Sequence, residues 1–139
     1  MSKIVILILS LLSHTGHDEY HQSARQIHHK PRIIMARVTY YCCGEDKYGS
    51  RVADPKVRRA RQGITVAAEP QFPFETHIDI KALSFVLPSE HFLIQDRGTA
   101  VTARKASHGK TPVFDVYATP RMARRLASTM PEFLPVTIY

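Results

Sequence analysis

Gly63-Ile64-Thr65-Val66-Ala67-Ala68-Glu69-Pro70, followed by Gln71-Phe72-Pro73-Phe74-Glu75-Thr76-His77-Ile78-Asp79-Ile80, holds two short strands and the turn between them. The run Gly63–Ala68 is small and β-branched and is closed by Glu69-Pro70, so it reads as a strand. Phe72-Pro73-Phe74 is a turn. Thr76–Ile80 alternates with period two, the spacing of a strand with one buried face.

Working outward, the same pattern recurs. Arg32–Tyr41 is β-branched and aromatic and reads as a strand. Gly44–Pro55 is a loop. Phe85-Val86-Leu87 and Phe92-Leu93-Ile94-Gln95 are strand-like runs broken by Pro88-Ser89. Thr99-Ala100-Val101 lies near a turn, Lys105–Lys110 is a loop, and Val113–Tyr117 is a strand. Pro120–Ser128 is a short helix, with Thr119 placed as N-cap and Pro120 in the first turn. Pro135–Tyr139 is the last strand. Several short strands, one late helix and closely spaced turns predict a small all-β barrel.

Composition agrees. A chain of 139 residues is one domain, and nine prolines and six glycines spread along it oppose an all-helical protein. The net charge of +7 predicts attraction to polyanions: nucleic acid, an anionic membrane or an anionic cell wall. The basic residues gather in Lys56–Arg61 and Arg121–Arg125, which read equally as solvated faces.

The N-terminus carries Lys3 and then Ile4–Leu12, apolar except for Ser10. This resembles a secretory signal peptide over residues 1–13; a membrane-spanning helix needs about 20 residues. An uncleaved anchor, a buried first strand or a start at Met35 are the alternatives. Residues 14–35 read as a polar, histidine-rich linker, and 36–139 as the barrel domain. His17 and His21 would share a helix face, but with no third ligand no metal site is expected. Cys42 and Cys43 are adjacent, so a bridge between them is strained. They match no zinc spacing and read as small buried side chains.

Two acids stand out. Asp96 follows Phe92-Leu93-Ile94-Gln95, and Asp115 lies inside Val113-Phe114-Asp115-Val116-Tyr117. Facing one groove, two carboxylates can perform acid–base work on a glycosidic bond. The plainer alternative is that Asp115 is an outward strand residue.

The ordered set Gly63–Pro70, Phe72–Ile80, Gln95–Val101 and Phe114–Tyr117 resembles the Asp-Asp-Asp (3D) domain family. Thr39-Tyr40-Tyr41-Cys42-Cys43-Gly44 resembles that family's opening stretch. The likeness spans Ala36 to Tyr139. It implies a six-stranded double-psi β-barrel, the fold of membrane-bound lytic murein transglycosylase A, and a peptidoglycan-active protein. Asp96 matches the family's second aspartate and Asp115 its third. Glu69 replaces the first, Glu75 stands where the family's turn has glycine, and Thr102–Thr111 lengthens the gap between the pair.

The resemblance implies a lytic transglycosylase. Asp115 would be general acid and then base, with Asp96 stabilising oxocarbenium character. Glu69, Thr99, Tyr117 and Arg97 would bind substrate, and Arg97 would turn back towards Asp96. No cofactor or metal is expected. The partner would be peptidoglycan glycan strands, with transient membrane contact through the N-terminal segment. The protein would be a monomer, secreted or in the cell envelope. The alternatives are a non-catalytic, expansin-like wall-binding module and, third, a nucleic-acid-binding protein through the basic clusters.

Overall fold

The computed structural model describes residues 30–44, 49–102 and 111–139. The N-terminal apolar run, the histidine tract to His29 and most of the Thr102–Thr111 stretch lie outside these residues.

Six strands close into a barrel. They are β1 (Arg32–Tyr41), β2 (Thr65–Ala68), β3 (His77–Asp79), β4 (His91–Asp96), β5 (Val113–Tyr117) and β6 (Phe133–Ile138). Their order around the barrel is β1-β5-β2-β4-β3-β6. The pairs β1–β5 and β2–β4 are parallel, and the other four are antiparallel. Between β3 and β4 lies a 3₁₀ turn, Lys81–Phe85. A four-residue helical turn, α1 (Thr99–Thr102), follows β4, and the main helix, α2 (Pro120–Thr129), precedes β6. Among the described residues no helix is long and apolar enough to cross a membrane.

The barrel interior follows from strand alternation. Ala36 and Val38 of β1, Val66 and Ala68 of β2, Phe92 and Ile94 of β4, Phe114 and Val116 of β5, and Leu134, Val136 and Ile138 of β6 form one buried cluster. Helix α2 adds Ala123 and Leu126 to it, with Met122 and Met130 alongside, the stripe expected of an amphipathic helix. Its basic residues Arg121, Arg124 and Arg125 are exposed, as are Arg58, Arg59 and Arg61.

Several sequence expectations are corrected. Phe85-Val86-Leu87 is not a strand: Leu83 reaches the core from the 3₁₀ turn and Leu87 from just beyond it, while Phe85 is 88% exposed. The last strand begins two residues earlier, at Phe133, and ends at Ile138. Arg32–Met35 pair with β6, so the boundary at Ala36 falls inside β1. Thr119 is the N-cap by backbone conformation, but its side chain makes no capping bond. Cys42 is half-buried and Cys43 is exposed, and both are free thiols.

Glu75 has φ 65°, the left-handed conformation that favours glycine. The turn between Phe74 and Thr76 therefore takes a conformation that glycine adopts more readily than glutamate. Glu75 is held by its own N–H to Ile94 O at 2.8 Å and by Lys56 Nζ at 2.9 Å.

Candidate functional site

Asp96 and Asp115 belong to one cross-strand row. Going from β1 to β4, Thr39 is paired with Asp115, Asp115 with Ala67, and Ala67 with Asp96. Paired residues point to the same side of a sheet, and Thr39 is out of phase with the inward Val38. The row therefore lies on the face opposite the main core. A single strand, β2, separates the two acids, so their backbones are roughly 10 Å apart.

The phase depends on a bulge. Val66 pairs with Ile94, but Ala67 pairs with Asp96, so Gln95 is an extra residue in β4. Strict alternation from inward Ile94 would have turned Asp96 inward. Gln95 is buried, and its Oε1 accepts from Thr65 Oγ1 at 2.8 Å. Its carbonyl accepts from Asp54 N at 3.0 Å.

A second, smaller cluster floors the row. Ala67, Val101 and Val113 are fully buried, with Tyr41 packed against them. Val101 comes from α1, so the turn after Asp96 folds back over Ala67. A methyl at Gly98 would lie 3.8 Å from Ala67 Cβ and 3.9 Å from Asp115 Oδ2.

Each carboxylate is held. Thr39 Oγ1 donates to Asp115 Oδ1 at 2.7 Å. Tyr41 OH donates to Asp96 Oδ2 at 2.8 Å. Asp96 Oδ1 accepts two backbone N–H bonds, from Ala53 at 2.9 Å and from Arg97 at 2.8 Å. Asp96 is buried, while Asp115 is half-exposed. Burial first, and then the Asp96 and Asp115 carboxylates, push the Tyr41 hydroxyl far above the ordinary phenol range.

The other predicted residues divide. The Arg97 side chain does not turn to the Asp96 carboxylate. Its guanidinium donates to the carbonyls of Ala68 (3.3 Å), Phe72 (2.8 Å) and Asp96 (3.0 Å) and stacks 4.0 Å over the Phe74 ring. It clamps the turn after β2. Burial lowers its pKa, opposed by Asp96 and Asp54. Tyr117 is buried and meets Tyr41 edge-on, with ring centroids 5.3 Å apart. Burial, and then a hydrogen bond with Cys43, raise its pKa. Thr99 is exposed at the start of α1. Glu69, half-buried on the clamped turn, accepts from Gln71 Nε2 at 3.3 Å.

Neither the Tyr41 hydroxyl nor Thr39 stands out in the sequence as part of the site. Their signal was the spacing of two on β1, which puts both hydroxyls on the face of Asp115.

No family model, no curated protein and no solved structure matches the chain.

Proposed function

We propose that the protein is secreted or held in the cell envelope and cleaves peptidoglycan glycan strands by the lytic transglycosylase route, on a barrel of the double-psi type. The single observation that carries this reading is the row Asp115–Ala67–Asp96, two held carboxylates on one face with a small residue between them. The two parallel strand pairs within a closed six-stranded barrel support the fold assignment.

In this mechanism Asp115 protonates the glycosidic oxygen between N-acetylmuramic acid and N-acetylglucosamine. The leaving sugar departs as an alcohol. The 6-hydroxyl of the muramic acid then attacks its own anomeric carbon and gives its proton to the Asp115 carboxylate. This closes a 1,6-anhydro ring without water. Asp96 stabilises the positive charge developing on the ring. Tyr41 and Thr39 hold the two acids. Thr99 and Glu69 contact the glycan, whereas Arg97 and Tyr117 shape the site from behind.

Incubating the protein with purified peptidoglycan releases anhydromuropeptides, and Asp115→Asn lowers the rate on the order of 100-fold or more. Wild-type protein that releases none would sink this reading.

One observation favours a second reading, a wall-binding module without turnover. Both oxygens of Asp96 accept from the protein's own donors, as in a structural acid. That module sediments with insoluble peptidoglycan in a salt-sensitive manner, because the chain is basic. Asp115→Asn leaves the sedimentation unchanged.

A further inference from the structure

We infer that Asp79, Glu90 and His91 form a binding site for one divalent transition-metal ion of the zinc class. The site is independent of the glycan reading. His91 and Asp96 stand at the two ends of β4, five positions and about 17 Å apart along an extended strand.

The three residues converge because of strand register. Asp79 and His91 are antiparallel partners across β3 and β4. Ile80 N–H donates to Glu90 O at 2.9 Å and holds the neighbouring position in step. One ligand atom from each side chain falls within a group no wider than 4.8 Å. A linear motif would not reveal it, because two ligands are consecutive and the third lies on another strand.

Asp79 is the anchor. It is 6% exposed, and its Oδ2 accepts from Tyr139 OH at 2.7 Å. That bond is the outer support that orients a metal-binding carboxylate. It leaves Oδ1 facing His91, whose Nδ1 lies 2.6 Å away, sharing a proton with it. A metal ion takes the place of that proton. Bonds of about 2.0–2.2 Å from metal to nitrogen and oxygen set the two atoms roughly 3 Å apart. The exposed His91 ring, 71% accessible, has room to move that far. Glu90 supplies the third ligand, and water fills the remaining positions.

The donor set selects the ion. One imidazole with two carboxylates suits zinc, nickel or cobalt. It lacks the thiolates that hold copper(I) and the six or more oxygens that calcium needs. The second carboxylate also has an electrostatic rationale. Glu90 beside the buried Asp79 is a like-charge placement that a divalent cation reverses.

The test uses the full-length, metal-stripped chain titrated with zinc by calorimetry, with melting followed in parallel. The histidine tract before Lys30 is a second potential zinc binder, so the site is counted by difference. His91→Ala removes an exposed ligand without touching the core. Relative to wild type it should lose one equivalent of zinc, together with the zinc-dependent rise in melting midpoint. Asp79→Asn, checked for folding by circular dichroism, should lose the same equivalent. Magnesium should give no midpoint shift in any form. Equal stoichiometry and equal shift in wild type and His91→Ala overturn the inference, and so does a wild type whose midpoint zinc leaves unmoved.

Discussion

Tyr41 OH reaches Asp96 Oδ2 at 2.8 Å although β5 and β2 stand between their strands in the barrel order. One phenol thus ties the first strand to the acid at the end of the fourth. Removing the hydroxyl leaves a buried carboxylate oxygen without its side-chain donor. Tyr41→Phe should cost about 1–3 kcal/mol in denaturant unfolding. On the proposed transglycosylase reading it should also lower kcat more than it raises KM, since the mutation touches the Asp96 carboxylate and leaves the proposed glycan contacts alone. A variant as stable as wild type would show the bond to be dispensable.

Tyr40, next in sequence, behaves oppositely. Its hydroxyl is buried with no hydrogen-bond partner among the described residues, and burial pushes its pKa up to about 12. Tyr40→Phe removes an unpaired polar group and keeps the ring. The melting midpoint should hold or rise, with a gain of roughly 1 kcal/mol. A loss of stability would point to a partner for that hydroxyl.

Glu75 pays for its left-handed backbone with little return. Its pairing with Lys56 is exposed, and solvent-screened pairs of that kind contribute little. Relief of the backbone outweighs that pair, so Glu75→Gly should stabilise by up to about 1 kcal/mol. Glu75→Ala keeps the strain and loses the pair, so it should be the least stable of the three. Chemical denaturation of the series gives the order directly.

Gly98 tests access to Asp115. A methyl there makes only ordinary contacts, the nearest 3.6 Å from Val101 Cγ2. Gly98→Ala should therefore fold with unchanged stability. Gly98→Leu carries bulk towards Asp115 Oδ2 and, on the proposed reading, should abolish the proposed glycan cleavage while the far-ultraviolet circular dichroism stays native. Full activity in the leucine variant would place the working face of Asp115 elsewhere.

Ala67 separates the two acids and is fully buried under α1. Ala67→Val inserts two methyls where Val101 already packs, so a loss of about 1–3 kcal/mol is expected from thermal unfolding.

The strands Arg32–Tyr41 and Val113–Tyr117 were legible residue for residue, because β-branched and aromatic runs of that length have few other uses. Phe85–Leu87 misled because three consecutive apolar residues carry no period, and only tertiary packing decides that Leu87 is buried and Phe85 is not. The start of β6 was missed because Phe133 and Pro135 both face solvent, so the inward series Leu134, Val136, Ile138 was half hidden. The two acids were visible as residues, but their shared face was not. It rests on the extra residue Gln95, and a bulge leaves no mark in side-chain chemistry. Arg97 was noticed beside Asp96, yet its clamp on the carbonyls of Ala68 and Phe72 is a backbone matter that no side-chain pattern announces.

Among the described residues strand β1 has only β5 and β6 as neighbours, and both come from the last quarter of the chain. During synthesis strand β1 therefore waits, with both hydrogen-bonding edges open, until its partners from Val113 to Ile138 arrive. Folding of this kind is slow for its size, because long loops must close before any pairing rewards them. Ile33 and Met35, which stay exposed even in the finished barrel, then form a sticky unpaired edge. The step most sensitive to a holding chaperone should be the capture of β1 by the closing strands.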